Sequence, residues 1–196
     1  MRLFVALEIP ADVRGQFAAL INELRALESK SSAKKPRWVR PENLHVTLKF
    51  IGHIEPATLD PIRATLANVR SEAPVDLRFR GLGFFPNARR PRVLWAGTAA
   101  SQNLASIAGD VDASLARLGM PAEDRAFTPH LTLARCEPSG ISAALSAAVE
   151  RDSARDFGGL RTHAFHLIES KLKPSGAEYT TLQSFVFAAE ALTEHA

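Results

Sequence analysis

Apolar residues along this chain follow two rhythms, and each switch between them marks a new element. Arg2 to Glu8 is an apolar run flanked by charge and ended by Pro10, which predicts a strand. Val13, Phe17, Leu20, Ile21, Leu24 and Leu27 then recur at helical spacing, so a long amphipathic helix follows. Ser29 to Lys35 is polar and basic apart from Ala33 and is expected to be a mobile loop. His45 to Ile51 predicts a second strand. Between Pro56 and Arg70, Leu59, Ile62, Leu66 and Val69 share one helical face, and Pro74 closes that segment before a strand from Val75 to Arg80. Past a turn bracketed by Pro86 and Pro91, strand resumes at Val93, Leu94 and Trp95. Leu104, Ile107, Val111, Leu115 and Leu118 give a helix over Ser101 to Leu118, stopped by Gly119 and Pro121. His130 to Cys136 is again strand, and an Ala-rich helix covers Ile141 to Val149. Two last strands, Thr162 to Leu172 and Tyr179 to Ala188, meet at a turn through Pro174, Ser175 and Gly176.

A turn that tight requires antiparallel pairing. Strands and helices are mixed without strict alternation, so the expected class is α+β rather than a doubly wound parallel sheet. No linker or low-complexity tract divides the 196 residues, and one compact domain over 1–196 is expected. The 46% hydrophobic and 23% charged fractions are ordinary globular usage, which sets disordered and fibrous classes aside.

Cys136 is the only cysteine, so no intramolecular disulfide and no thiolate cluster for structural zinc is available, which suits a reducing compartment. The run Leu3 to Leu7 is too short for a signal-peptide core, and no apolar stretch nears the roughly 18 residues of a membrane span. A cytoplasmic protein without membrane contact is the expectation. Net charge is +3, a mild excess that suits an anionic partner without establishing one. Basic residues gather at Lys30, Lys34, Lys35, Arg37 and Arg40, and again at Arg78, Arg80, Arg89, Arg90 and Arg92. Either cluster reads equally well as a solvated face.

The informative pattern is a repeat. His45-Val46-Thr47-Leu48 returns as His130-Leu131-Thr132-Leu133 about half the chain later, each time on a predicted strand followed by a turn and a helix. Side chains alternate across a strand, so His45 and Thr47 share one face while Val46, Leu48 and Phe50 take the other. Period two puts Lys49 with His45, in the cleft or simply at its solvent edge. In the second copy it puts Arg135 opposite His130 and Thr132. One His-x-Thr is weak evidence of function; two copies packed about a pseudo-twofold axis would line one cleft with two imidazoles and two hydroxyls. An in-line phosphoryl displacement uses such a set: a base on the attacking oxygen, an acid on the departing one, and donors for the phosphoryl oxygens.

These motifs, with Arg2-Leu3-Phe4-Val5-Ala6-Leu7, Trp38-Val39, Pro41-Glu42-Asn43-Leu44 and Lys49-Phe50-Ile51-Gly52, resemble the 2H phosphoesterase superfamily. Phe85-Pro86, Arg90 to Gly97, Phe127-Thr128-Pro129 and Glu169-Ser170-Lys171-Leu172 with Gly176 and Tyr179 extend the likeness over nearly the whole chain. Within the superfamily the chain is similar to the RNA 2',3'-cyclic phosphodiesterases, historically called 2'-5' RNA ligases. The resemblance implies a bilobal fold with two antiparallel sheets lining a central cleft and helices outside. It also implies hydrolysis of RNA 2',3'-cyclic phosphate ends to 2'-phosphomonoesters, with His45 as proton donor to the 3' oxygen and His130 as activator of water. Thr47 and Thr132 would hold the phosphate oxygens. Arg135 would pair with phosphate if the strand bends there, and Phe127 would stack on a terminal base or else pack in the core. Trp38 and Trp95 read as core.

His53, His163, His166 and His195 have no motif partner and receive no role. Two histidines with threonines make a poor metal shell, so neither metal nor cofactor is expected. The implied partner is RNA with a 2',3'-cyclic phosphate end, tRNA halves and nucleotides included, acted on by a monomer. Three alternatives stay open: reversible 2'-5' RNA ligation at the same site, a small cyclic nucleotide or cyclic ADP-ribose derivative as substrate, and an RNA-end binding module without turnover.

Overall fold

The structure is a computed structural model that describes residues 1–28, 35–137, 140–174 and 176–187. Most of the expected loop Ser29 to Lys35, Ser175 of the expected turn, and His195 lie outside the described residues. In chain order the elements are β1 (Arg2–Glu8), α1 (Ala11–Glu28), β2 (Arg37–Trp38), β3 (His45–His53), α2 (Leu59–Leu66), β4 (Val75–Phe85), β5 (Val93–Ala100), α3 (Asn103–Ala116), β6 (His130–Arg135), α4 (Ala143–Arg151), β7 (Asp156–Thr162), β8 (Ala164–Lys173) and β9 (Gly176–Val186). The class is α+β, as the mixed pattern requires.

Every strand pair is antiparallel, in the order β7-β4-β5-β6-β3-β1-β8-β9, with the short β2 added to β6. The two sheets expected from the resemblance are the halves of this order. They meet edge to edge where β3 and β6 pair at Val46↔Leu131. Each half therefore holds one motif strand at its inner edge, and the repeat in sequence becomes a near-symmetric pair in space.

One face of the sheet carries the core. Leu3, Val5 and Leu7 of β1 enter it beside Val46 and Leu131, and helices cover it with Phe17, Leu20, Ile21 and Leu24 of α1 and Leu104, Ile107, Val111 and Leu115 of α3. On the opposite face Phe4, Ala6 and Ile168 form a small second cluster with Tyr179. With both faces covered, β1 loses the polar alternation of a half-exposed strand, hence its continuous apolar run.

Two strands escaped the sequence pattern. The strand expected from Thr162 to Leu172 is β8, and the strand before it, β7, which ends at Thr162, was not expected. β7 pairs with β4 along Val75↔Thr162 to Arg80↔Asp156. Its weak signal comes from Gly158 and Gly159: a Cβ on Gly159 would stand 2.4 Å from the Leu77 carbonyl oxygen, so the close approach of β4 dictates glycine there. β2, two residues long, is too short for periodicity to register. The helix expected over Pro56 to Arg70 is regular only from Leu59 to Leu66.

Lys49 is also not where period two puts it. It is 4% exposed and faces the helices, where its ammonium pairs with Asp112 of α3 and donates to the Pro121 carbonyl at 2.6 Å. The Asp112 carboxylate accepts in turn from the Glu123 backbone N–H at 3.2 Å.

Gly97 marks a close approach of two backbones near the cleft. A Cβ there would lie 2.6 Å from the Arg80 carbonyl oxygen, and backbone cannot yield as a side-chain end can. Gly97→Ala should lower stability by about 1–3 kcal/mol, the scale of overpacking. Thermal unfolding followed by circular dichroism checks this, and an unchanged midpoint would mean that β4 and β5 separate freely at that point.

Candidate active site

Motif histidines sit at the first residue of β3 and of β6, next to each other at the centre of the sheet. Extending the Val46↔Leu131 register one residue each way sets His45 across from Thr132 and Thr47 across from His130. All four are half-buried on the face away from the main core, while Val46 and Leu131 between them are fully buried. The structure thus gathers the four predicted polar residues.

Both imidazoles are held in the same way. Nδ1 of His45 lies 2.7 Å from the Asn43 carbonyl oxygen, and Nδ1 of His130 lies 2.9 Å from that of Thr128, two residues upstream in each case. A carbonyl only accepts, so Nδ1 carries the proton and Nε2 is left as the nitrogen that exchanges one. The supporting loops are themselves tied down. The Asn43 side-chain amide and Arg40 Nη2 both donate to the Ala177 carbonyl at 2.8 Å, and the Thr98 hydroxyl donates to that of Pro129 at 2.8 Å. Aromatic rings complete the seats: Phe4 and Tyr179 lie 4.7 and 5.3 Å from the His45 ring, and Phe85 lies 5.0 Å from that of His130.

Alternation fails at the same place in both motifs. The β1–β3 register steps from Ala6↔Thr47 to Val5↔Lys49, leaving Leu48 as an extra residue, and the β5–β6 register steps from Trp95↔Thr132 to Leu94↔Ala134, leaving Leu133. A β-bulge puts two successive side chains on one face and reverses the parity beyond it. Leu48 and Lys49 are accordingly both buried, as are Leu133 and Ala134. The residue five beyond each histidine then returns to the cleft face: Phe50, 57% exposed, in one half, and the exposed Arg135 in the other.

This corrects the strict period-two placements of Lys49, Phe50 and Arg135. Arg135 stands on the His130 face, and its charge reaches His45. Burial is the main cause that pushes the His45 imidazole below its ordinary value; the Asn43 hydrogen bond opposes it, and the positive charges of Arg135 and His130 add to it. Phe127, by contrast, is half-buried and packs against the main core, so the exposed ring of the cleft is Phe50. Trp38 packs against the core as expected. Trp95 does not: it lies opposite Thr132 on the cleft side, flat over Gly83, where a Cβ would meet its ring at 2.4 Å. Only the second motif carries a sequence signal of the break, the adjacent apolar pair Leu133-Ala134; by analogy between the two copies it could have pointed to Phe50, since Lys49 in the first copy gives no such sign.

Among the described residues no three His, Cys, Asp or Glu side chains gather in a way that could hold a metal ion. No helix of the described residues is long and apolar enough to cross a membrane.

With this geometry in view, the chain matches the family model "LigT like Phosphoesterase" over residues 7–95 and 97–179. It is 34% identical over 185 residues to an RNA 2',3'-cyclic phosphodiesterase of Archaeoglobus fulgidus, covering 94% of this chain and 99% of that protein. A Thermus thermophilus protein of the same name is 33% identical over 199 residues, covering 97% of this chain and 92% of that one. The fold superposes on a crystal structure of a Thermus thermophilus protein with a TM-score of 0.74 at 32% identity, over 95% of this chain and 98% of that one. Escherichia coli LigT complexed with 3'-AMP gives 0.74 at 26% identity, over 95% and 97%. The repeated His-x-Thr strands at one cleft and the likeness along nearly the whole length make this chain a member of the LigT-like phosphoesterase family.

Proposed function

We propose that the chain opens 2',3'-cyclic phosphate ends of RNA to 2'-phosphomonoesters. The observation that carries this is the pair of imidazoles on adjacent strands, each with Nδ1 fixed by a backbone carbonyl and Nε2 left for proton transfer. Relatives named RNA 2',3'-cyclic phosphodiesterase support the substrate. Water attacks phosphorus and gives its proton to Nε2 of His130. The bond from phosphorus to the 3' oxygen breaks, and His45 protonates that oxygen. Thr47 and Thr132 hydroxyls and the Arg135 guanidinium take the phosphoryl oxygens, where negative charge is concentrated. Phe50, exposed beside Phe4 at 6.2 Å, offers the terminal base a stacking face.

A low His45 value in the free protein fits this cycle, because the bound phosphate brings the counter-charge that lets His45 hold its proton. By linkage, a histidine whose folded value is depressed contributes stability above its ordinary value, and that contribution is lost as pH falls through the folded value.

An oligonucleotide ending in a 2',3'-cyclic phosphate, incubated with EDTA, should yield a 2'-phosphate end; a 3'-phosphate product or none would overturn the reading. His45→Ala and His130→Ala should each lose at least about 100-fold in kcat, the scale of one positioned acid or base. Near-normal turnover in either variant removes that residue from the mechanism. Arg135→Gln should raise the titration midpoint of His45 followed by NMR, since one repelling charge is gone; an unmoved midpoint would place the guanidinium outside the site. For Phe50→Ala we expect KM to rise by at least about fivefold with kcat little changed, as one lost stacking contact requires. A fall in kcat alone would contradict a binding role.

A further inference from the structure

Residues 117–129 join α3 to β6 without helix or strand. A connection that long is uncommon in a compact domain unless it serves a function. This one ends on Thr128, whose carbonyl oxygen lies 2.9 Å from Nδ1 of His130. The approach to His45 is much shorter: it is the single turn Pro41–Asn43, and the buried Asn43 side chain donates to the Ala177 carbonyl at 2.8 Å. Among the described residues Thr128 has no tie of that kind. Its side chain is exposed, and its hydroxyl donates to the Ala126 carbonyl of the same segment at 3.4 Å. The carbonyl that orients His130 is therefore only as well placed as the chain leading to it.

Apolar packing holds that chain at Met120 and Phe127, and the Thr98 hydroxyl holds Pro129. Pro121 to Ala126, between them, are all exposed. Among the described residues, the hydrogen bonds that reach this stretch from outside the segment come from one place: Lys49 donates to the Pro121 carbonyl at 2.6 Å, and Asp112 accepts from the Glu123 N–H at 3.2 Å. The two side chains pair with each other. The hydrogen bond from Lys49, more than any other cause, holds the Asp112 carboxyl below its ordinary value and keeps it charged at neutral pH. Lys49 lies on the strand of the first motif, turned to the core side by the bulge, so one motif's strand grips the approach to the other motif's histidine. Stability does not explain such a pair. Burying a cation costs desolvation, and apolar side chains of similar volume often give equal stability. What they lack is direction: a hydrogen bond fixes the peptide group it joins within narrow limits of distance and angle, and here one acceptor and one donor are fixed.

Resting on the reaction above, we propose that Lys49 and Asp112 are positioning residues for His130. By clamping Pro121 and Glu123 they fix the course of the segment that carries the Thr128 carbonyl, and with it the direction in which Nε2 of His130 meets water. Neither side chain touches the substrate, and the seat of His45, built by Asn43, Phe4 and Tyr179, does not depend on them.

The test reads the imidazole nitrogens of the free protein by NMR and, separately, the opening of an oligonucleotide with a 2',3'-cyclic phosphate end. Two variants are compared with the wild-type chain. Lys49→Met/Asp112→Leu removes the clamp and leaves no buried charge unpaired; Glu123→Pro removes one of its hydrogen bonds at an exposed position, away from the core. In both, His130 should lose part of its Nδ1–H tautomer while His45 keeps its own. The double variant should lose about 5- to 100-fold in kcat with KM unchanged, the upper figure being the cost of a displacement of about 1 Å. Glu123→Pro should shift the same quantities in the same direction by less. Folded variants with the wild-type His130 spectrum and kcat overturn the proposal. So does equal disturbance of both histidines, which marks general loosening, or a rise in KM alone. If the double variant does not fold, Glu123→Pro decides by the same criteria. The tautomers are read without substrate, so failure of the wild-type chain to open the cyclic phosphate overturns the proposed function while the His130 spectra still decide the clamp.

Discussion

The bridge between Val46 and Leu131 sets the position of everything else at the cleft. β3 and β6 are the inner edges of the two half-sheets, and unpaired edges are a liability that a fold must cover. Pairing them does this and brings the motifs to the spacing of neighbouring strands, about 4.8 Å between backbones. Because the pairing is antiparallel, each histidine faces the threonine of the other motif instead of the other histidine. Two imidazoles side by side would compete for one proton; the diagonal arrangement separates them, as the proposed in-line displacement needs. Val46 and Leu131, both with no exposed surface, anchor the bridge from behind.

Orientation by a carbonyl rather than a carboxylate matters for the charge of the site. A carboxylate on Nδ1 would hold the imidazole protonated, whereas a carbonyl selects the tautomer with a weaker pull. Glu8 pairs with His45 in the β1–β3 register and could have played that part. Its carboxylate instead accepts the Thr181 hydroxyl at 2.6 Å and lies 3.9 Å from His166, and it is not among the charges that shift His45. The cleft carries Arg135 beside the two imidazoles, and burial first, with that positive charge added, pushes the His45 imidazole below its ordinary value.

Much of this was legible in the chain because a repeat is robust to local error. The doubled His-x-Thr strand and its apolar backing located the site, and helical spacing located α1 and α3 to within a few residues. What failed was parity past the motifs. Alternation is a rule for ladders without insertions, and one extra residue at Leu48 and at Leu133 reversed it, sending Lys49 inward and Phe50 and Arg135 outward. β7 was hidden for another reason. Its glycines serve the backbone of β4, and apolar pattern carries no trace of a contact made by missing side chains. Trp95 misled in the same way, since a large aromatic reads as core unless the glycine across from it is known to form its bed.

The paired bulges also explain how a symmetric repeat comes to carry unlike chemistry. The same position of each motif, five beyond the histidine, holds an aromatic ring in one half and a guanidinium in the other. One half of the cleft thereby presents an exposed ring and the other an exposed cation. The bulge residues behind them differ as well. Ala134 pairs with Trp38 of β2, whereas Lys49 reaches through the core face to Asp112 and Pro121. Through Asp112 that contact also holds the Glu123 backbone, in the irregular segment that runs on to Thr128, the residue whose carbonyl orients His130. A buried cation costs desolvation that a surface contact would avoid. Here it links the strand of the first motif to the approach of the second, so the two histidines are joined by the sheet in front and by an ion pair behind.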